Sequence, residues 1–461
     1  MRPARSENVR FFPTAAAAEL AGFRPCLRCR PETAPGSPAW RGSAATVSRA
    51  LGLIDRGFLD EQRLPALAAS LGVGTRHLTR LFLEHCGAAP GALARCRRVQ
   101  MAKRLLDETR LPMTDVALAS GFHSLRRFNG AFRETYGRPP LQLRRRVPPS
   151  AHGDAISLRL YYRPPLDWPS TLKQLSLEAI PGVESTSPAE YCRTVSVDGR
   201  AGWLAVSQSD DETALSLSLH LTEYGKLRSV IERVQTMLDL AADPSQIGRV
   251  LTPHLPRGVA GDLAGLRLPG AWDGFEVAIR ALVQRHAGSE RATVVMGDLV
   301  ARWGQPVSFR GRPSLVTLFP DAARLSRAPL QRCGLSARAE RDVQRLSRGV
   351  AESRIRFDAS VPFAGLVHSL VVEAGFDPSA AEWVAMRALG EPDADLAGWL
   401  SLPARQRLWW RATQEALRPW RSYAALLLTR RGPALERSRS NSLRRSTGSV
   451  AERRVQKRTH I

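Results

Sequence analysis

Apolar residues recur at helical spacing through a region near the start of the chain. From about residue 45 to 147 the sequence is dense in alanine, leucine and arginine, and it is interrupted by Gly72, Gly87, Gly121 and Gly137. Apolar positions that return every three or four residues predict amphipathic helices, and the glycines mark the turns between them. This region is therefore predicted to be an all-helical domain.

A repeated pattern lies inside this helical region. The segment LAASLGVGTRHLTRLF (67–82) is echoed by VALASGFHSLRRFNGAF (116–132), with Ala68 and Gly72 matched by Ala117 and Gly121 at an offset of 49 residues. In each copy a small alanine lies on a first helix, a glycine forms a tight turn, and polar and basic residues begin a second helix. The pattern predicts two helix-turn-helix units.

The pattern changes after the linker VPPSAHGDA (147–155). Alternating runs such as ISLRLYY and YCRTVSVDG predict strands, and helical spacing returns from about residue 225 to 430. The last 32 residues carry ten Lys or Arg against two Glu, with many serines and no apolar period, which predicts a disordered basic tail.

Composition adds a partner class. The chain of 461 residues has 67 Lys and Arg against 43 Asp and Glu, a net charge of +24, which indicates a polyanionic partner unless it reflects coding bias alone. A chain of this length predicts several domains. The absence of an apolar run of membrane length and the six scattered cysteines favour a cytoplasmic protein over a membrane or disulfide-rich one.

The exposed faces of the two second helices carry candidate DNA contacts. Basic and hydroxyl side chains at such positions reach guanine edges and phosphates. The candidates are Thr75, Arg76, Thr79 and Arg80 in the first unit and Ser124, Arg126, Arg127, Asn129 and Arg133 in the second. The tandem units, each closed by Gly-x-x-Pro (GAAP and GRPP), resemble the DNA-binding domain of AraC-type regulators. The alternative is a helical bundle with solvated arginines.

A Cys-x-x-Cys pair, Cys26 and Cys29, lies in the stretch AGFRPCLRCRPE. A structural zinc site needs four ligands, and no second pair follows downstream. The stretch ENVRFFPTAAAAELAGFRPCLRCRPE resembles the second half of the zinc module of Ada-type adaptive-response proteins, whose first cysteine pair, including the methyl acceptor, lies upstream. We expect a start placed too late or a true loss, poor zinc binding at this half-site, and no phosphotriester methyl transfer.

The second half of the chain resembles AlkA-type 3-methyladenine DNA glycosylases. The resemblance rests on LRLYYRPPLDW, AIPGVE, FEVAIRALV, EWVAMRALGEPDA and RPWRSYAALLL, in the family's order. It implies a small α/β domain, a helix-hairpin-helix element, base flipping and a carboxylate that stabilises positive charge on the sugar. No cofactor is expected for this chemistry.

The family's motifs are altered in this half. Where the family reads Pro-Asp-Ala-Phe-Pro-Ala-Ser-Asp-Leu, this chain reads PDADLAGWL (392–400). A four-residue deletion makes Asp395 the catalytic carboxylate, whereas an ungapped alignment puts Trp399 there and leaves no catalytic carboxylate. The bland alternative is that Asp395 caps a helix or is solvated.

Two DNA-contacting positions of the family are also altered. The hairpin reads EAGFDPSA, so Gly375 is kept, but Asp377 replaces the second glycine, where a carboxylate would repel phosphate, and Ser379 replaces a tryptophan. His286 occupies the position of the side chain that is wedged into the DNA gap.

Together these patterns predict a multidomain, mainly α protein. The expected parts are a truncated Ada-like zinc module (1–38), an AraC-type double helix-turn-helix (45–147), an α+β AlkA-like N-terminal domain (156–225), a helical helix-hairpin-helix glycosylase domain (226–430) and the tail (431–461). The function predicted first is excision of alkylated purines from double-stranded DNA, with nucleoid association and an operator as further expectations. The alternatives are a transcription regulator with a degenerate glycosylase domain and a nucleoid protein without sequence choice.

Overall fold

A computed structural model of the chain describes residues 9–26, 43–145, 155–256, 259–400 and 402–430. The predicted basic tail (431–461) lies outside the described residues, as does Cys29. The architecture is mainly helical with a five-stranded antiparallel sheet, which confirms the predicted fold class.

A short amino-terminal helix, α1 (Ala15–Leu20), packs on the first repeated unit. Its first turn is capped by Thr14, whose hydroxyl accepts from the Ala17 N–H at 3.2 Å and donates to the Cys86 carbonyl at 2.8 Å. Because Ala16 is buried in the same apolar cluster as the first unit, this segment is anchored to that unit.

Within the described range 43–145, eight helices follow one another from Ser43 to Leu143. They are α2 (Ser43–Asp55), α3 (Phe58–Glu61), α4 (Leu64–Ser70), α5 (Thr75–Cys86), α6 (Pro90–Glu108), α7 (Met113–Ala119), α8 (Leu125–Tyr136) and α9 (Pro140–Leu143). Gly87 and Gly137 end α5 and α8 in the left-handed region, with φ of 66° and 70°, a conformation that glycine adopts without steric cost. Pro90 and Pro140 then begin the next helices, where a missing N–H costs nothing.

The two units are not related by one constant offset. The first helices of the two units, α4 and α7, begin 49 residues apart. The second helices, α5 and α8, begin 50 residues apart and also end 50 residues apart. The second unit therefore has one more residue in its turn, so the predicted offset of 49 holds only for the first helix and the turn glycine.

The predicted strands lie in one sheet. It is formed by β1 (Ile156–Tyr161), β2 (Glu184–Thr186), β3 (Glu190–Val197), β4 (Arg200–Gln208) and β5 (Ala214–His220), in the order β1-β5-β4-β3-β2 with antiparallel pairing throughout. In β1 the residues Ile156, Leu158 and Leu160 are buried, as the period of two requires. Helix α10 (Trp168–Glu178) connects β1 to β2.

Helices again dominate after the sheet. They are α11 (Leu227–Met237), α12 (Pro244–Leu251), α13 (Gly274–Ala287), α14 (Ser289–Trp303), α15 (Ala322–Leu325), α16 (Ala337–Ala351), α17 (Phe363–Ala374), α18 (Pro378–Leu389), α19 (Ala404–Thr413) and α20 (Arg421–Arg430). Short 3-10 helices (Ala260–Leu263 and Leu330–Cys333) and a two-stranded ribbon of β6 (Gln305–Pro306) and β7 (Thr317–Leu318) lie between them.

Three large apolar clusters form the core of the described residues. One lies among α12 to α20, and one joins the first helix-turn-helix unit to α1. The third contains the second unit, for example Phe128 and Phe132, together with Leu158 and Leu217 of the sheet and Val230 of α11. The second unit thus shares its core with the sheet domain.

Candidate functional site

Helix α5 presents a basic face and buries an apolar one. Leu78, Leu81 and Phe82 are buried, which leaves Arg76 and Arg80 exposed, as the sequence predicts. Of the two threonines predicted to contact DNA on this helix, Thr79 already makes a hydrogen bond within it: its hydroxyl donates to the Thr75 carbonyl at 2.9 Å. Arg80 lies 3.2 Å from the ring Nδ1 of His77.

Helix α8 repeats this arrangement with a different beginning. Phe128 and Phe132 are buried, while Arg126, Arg127 and Arg133 are exposed and Asn129 is half-buried. Ser124 is the residue that caps the helix, because its hydroxyl accepts from the Arg127 N–H at 3.5 Å. In the 50-residue register Arg76 corresponds to Arg126 and Thr79 to Asn129.

One carboxylate connects the second unit to the first and to the second half of the chain. Asp60 accepts from Arg98 Nε of α6 at 2.8 Å and pairs with Arg228 of α11 at 2.7 Å, and its carbonyl contacts His123 Nε2 at 2.7 Å. A Cβ at Gly121 would lie 2.4 Å from this carboxylate. Asp60 also lines a cavity of about 130 Å³ between the second unit and the sheet domain. This junction is not indicated by any local pattern.

The hairpin between α17 and α18 is built around the retained glycine. Gly375 ends α17 with φ of 72°, and its carbonyl accepts from Arg285 at 3.2 Å. Arg345 donates to the carbonyls of Val372 and Glu373, both at 2.6 Å. Arginines therefore surround the hairpin.

The structure uses Asp377 as a helix cap. Its carboxylate accepts from the Ala380 N–H of α18 at 3.0 Å, so the charge is turned toward the positive end of its own helix. The expected repulsion of phosphate by Asp377 is therefore reduced by this local pairing.

His286 is held by an acidic partner. It lies near the end of α13, its Nε2 is 2.8 Å from Asp342 Oδ2 of α16, and its side chain is only 13% exposed. A wedge role requires this ring to leave Asp342, because an inserted side chain must project into the duplex.

Asp395 lies in the loop after α18 and is held through one oxygen. Oδ1 accepts from the indole Nε1 of the buried Trp410 at 3.0 Å and from the Ala397 N–H at 3.2 Å. Among the described residues, no hydrogen bond to Oδ2 is seen. The carboxylate is half-buried, so it is fixed in direction while one oxygen stays available.

The neighbouring Asp393 has a structural environment. It is 2% exposed and forms ion pairs with Arg418 at 3.1 Å and with Arg421 at 3.0 Å. A buried carboxylate with two guanidinium partners is neutralised in place. Of the two aspartates in this loop, Asp395 is the one that offers an oxygen without an arginine partner among the described residues.

A second carboxylate, which the sequence does not single out, lies beside Asp395. Glu382 of α18 accepts from the Asp395 N–H at 2.9 Å through Oε2. Burial raises the pKa of Glu382, and the Asp395 charge raises it further, whereas the hydrogen bond from Asp395 and the charge of Arg421 lower it. The 13-residue separation gives no local signal of this pairing.

Four tryptophans lie on α18, on α19 and in the loop between them, and Trp410 is the one that contacts Asp395. Trp383 and Trp399 stack with ring centroids 4.9 Å apart, and Trp409 and Trp410 lie at 6.4 Å. The residue that the ungapped alignment places at the catalytic position, Trp399, is thus stacked on a tryptophan of α18.

The described part of the chain adds no metal-binding group to the candidate ligands Cys26 and Cys29. Cys26 is exposed, Cys29 lies outside the described residues, and the residues that the structure describes contain no group of three His, Cys, Asp or Glu able to hold a metal ion. The donors present there do not fit a four-ligand zinc site. In the same described ranges no helix has the length and apolar character to cross a bilayer.

Family comparisons match three segments of the chain. Residues 1–32 match the metal-binding domain of Ada, residues 67–146 a helix-turn-helix domain, and residues 157–273 the AlkA N-terminal domain. The three resemblances expected from the sequence are thereby confirmed.

Whole-chain similarity extends these matches. The "Probable bifunctional transcriptional activator/DNA repair enzyme AlkA" of Mycobacterium tuberculosis is 36% identical over 439 residues, which is 92% of this chain and 88% of that protein. The "Bifunctional transcriptional activator/DNA repair enzyme AdaA" of Bacillus subtilis is 30% identical over 145 residues, 31% of this chain and 65% of that one.

A solved structure resembles the second half. The 3-methyladenine DNA glycosylase from Archaeoglobus fulgidus aligns with a TM-score of 0.51 and 18% identity, covering 59% of this chain and 97% of that one. At this identity the likeness shows the fold alone.

Proposed function

The chain belongs to the family of the bifunctional transcriptional activator/DNA repair enzymes AlkA, and from this premise we propose that it excises alkylated purines from double-stranded DNA. The reaction is hydrolysis of the N-glycosidic bond of a flipped nucleotide. The observation that carries this proposal is the Asp395 carboxylate, half-buried against Trp410 with one oxygen free of hydrogen bonds within the described residues.

Asp395 acts on the sugar in this proposal. As the alkylated base departs, positive charge develops on the sugar ring, and a fixed anion stabilises that charge more than a solvated one does. Trp410 and the Ala397 N–H hold Oδ1, so Oδ2 faces the developing charge or orients the attacking water. In this proposal the stacked rings of Trp383 and Trp399 offer an aromatic surface for the flipped base.

The hairpin and the recognition helices bind the duplex. The Gly375 turn with Arg285 and Arg345 contacts backbone phosphates, and His286 leaves Asp342 to fill the gap of the flipped base. The exposed arginines of α5 and α8, above all Arg76 and Arg126, contact an operator. The net charge of +24 supports a polyanionic partner and association with the nucleoid.

The decisive experiment counts abasic sites in alkylated duplex DNA. We expect release by the wild-type protein and a loss of at least about 100-fold in Asp395→Asn, the scale expected when one preorganised electrostatic group is removed. An asparagine Oδ1 still accepts from Trp410 and Ala397, so the loop stays folded and duplex binding is the control. Release that persists in Asp395→Asn would remove this residue from the mechanism.

The alternative, a regulator with an inactive second half, predicts the opposite result: duplex binding without any release by the wild-type protein. The observation that favours it is the altered hairpin sequence EAGFDPSA, in which Asp377 replaces the family's second glycine and Ser379 replaces its tryptophan.

The recognition helices are tested by their salt dependence. Arg76→Ala and Arg126→Ala are compared with Arg332→Ala, an exposed arginine in a 3-10 helix of the second half. If the arginine of either helix binds a phosphate, its removal reduces the salt slope of DNA binding by about 1, whereas Arg332→Ala leaves the slope unchanged. Equal slopes in all three variants would contradict the role of these helices.

We further propose that zinc binds poorly at Cys26 and Cys29. Cys26 is exposed, and the residues that the structure describes contain no group of three His, Cys, Asp or Glu able to hold a metal ion. Elemental analysis of the purified protein tests this, and stoichiometric zinc that survives dialysis would overturn it.

A further inference from the structure

The candidate site contains a carboxylate with no role in the proposal above. Glu382 lies on the second helix of the hairpin, directly before the stacked Trp383, and reaches the loop that carries Asp395. Its Oε2 accepts the Asp395 backbone N–H at 2.9 Å, while the Asp395 side chain faces Trp410 through Oδ1. The backbone and the side chain of Asp395 are therefore fixed by two different helices, α18 and α19.

We propose that Glu382 is a positioning residue for Asp395: it anchors the catalytic loop on the hairpin helix and places a second carboxylate beside that of Asp395. This inference rests on the proposed glycosylase function. It connects the DNA-binding hairpin to the catalytic loop, because the helix that begins at the hairpin also holds the backbone of Asp395.

The charges around Glu382 determine how it responds to pH. Asp395 faces it from the loop and Arg421 faces it from α20, while Asp393 engages both Arg421 and Arg418. Burial and the Asp395 charge raise the pKa of Glu382 above that of an ordinary glutamate. Glu382 consequently stays protonated to a higher pH, and its ionisation adds negative charge beside Asp395 only above that range.

Two substitutions separate the two roles. Glu382→Gln keeps an oxygen that accepts the Asp395 N–H but removes the charge, whereas Glu382→Ala removes both. The matched control is Glu391→Gln, since Glu391 accepts the N–H of Asp393, the structural aspartate of the same loop, at 3.2 Å.

The test measures single-turnover release of an alkylated base as a function of pH. In the wild-type protein the rate rises through the range in which Glu382 ionises, and this rise is absent in Glu382→Gln, which keeps the low-pH rate. Glu382→Ala is slower by about 100-fold at every pH, the cost expected for a displaced catalytic group. Glu391→Gln behaves like the wild type.

The inference is overturned if Glu382→Gln retains the wild-type pH profile or if Glu382→Ala retains the wild-type rate. Both results are distinct from failure of the proposed function, in which the wild-type protein releases no base or Asp395→Asn releases it normally. Equal duplex binding by all variants shows that a lower rate comes from the site and not from unfolding.

Discussion

The two helix-turn-helix units have the same local design but different surroundings. The turn glycines Gly72 and Gly121 both have positive φ, 71° and 83°, yet a Cβ at Gly72 meets no atom within 4 Å, whereas one at Gly121 overlaps Asp60. The first unit shares its core with α1 and α2, and the second with the sheet and α11. The glycine turn of the first copy is thus open, whereas the turn of the second copy packs against Asp60.

A set of ion pairs joins the helix-turn-helix region to the second half of the chain. Asp60 pairs with Arg98 of the connecting helix and with Arg228 of α11, so the junction is electrostatic and mostly buried. Lys226 of the second half pairs with Glu61 of the first, which adds an exposed contact to the same junction. The second unit therefore also packs at a domain junction, because Asp60 and Arg228, which lie outside the repeat, meet at its turn.

The largest loss of stability is expected when the ion pairs of this junction are removed. Asp60→Ala leaves Arg228 buried, with Nε and Nη1 already lacking hydrogen-bond partners among the described residues, and should lower the free energy of unfolding by about 3 to 5 kcal/mol. The control is Glu134→Ala, which removes an exposed pair with Arg95 that spans α6 and α8 and costs at most about 1 kcal/mol. Urea titration measures both, and equal losses would contradict the distinction between buried and exposed pairs.

The next effect compares the turn glycines directly. Gly72→Ala costs about 1 to 2 kcal/mol because of its left-handed backbone alone. Gly121→Ala carries that strain and in addition an overlap with Asp60 that costs about 1 to 3 kcal/mol.

A double variant sharpens this second prediction. In an Asp60→Ala background the carboxylate is gone, so the additional cost of Gly121→Ala should fall to that of Gly72→Ala. Thermal or urea unfolding of the four proteins gives the coupling directly. Strict additivity would show that the overlap relaxes without cost.

The smallest expected change in stability comes from substituting the N-cap residues of α5 and α8. Helix α8 begins with Ser124 as its cap, while α5 begins after Gly74, which has extended backbone and open space around its Cβ position. Gly74→Ser should stabilise the first unit by about 0.5 to 1 kcal/mol, and Ser124→Ala should destabilise the second by a similar amount. If Gly74→Ser changes nothing, the α5 N-terminus does not benefit from a side-chain cap.

Much of the fold could be predicted from local patterns. The helical units, their closing glycines and prolines and the strands of the sheet domain follow from apolar periods and turn residues, and the structure has them where the sequence indicates. The exact relation between the repeats could not be read in this way. A shift from 49 to 50 residues depends on where each helix begins, and the cap differs between Gly74 and Ser124.

The candidate site was less accessible to prediction. The sequence proposes Asp395, and the structure gives it a half-buried setting beside Trp410. The sequence does not indicate Glu382, because that residue reaches Asp395 only after α18 folds against the loop. Nor does it indicate that Asp377 caps its own helix or that His286 pairs with Asp342, since each depends on the direction of one side chain.

The sequence by itself determined the elements, the repeated units, the basic character and the family resemblance, because these depend on spacing, composition and motifs along the chain. Only the tertiary structure decided which glycine turn is open, which carboxylates are neutralised and which remain available. Asp393 and Asp395 lie two residues apart, yet one is buried between arginines and the other retains a free oxygen within the described part of the chain. The charge state and direction of a side chain depend on neighbours that are distant in sequence, and packing alone brings them together.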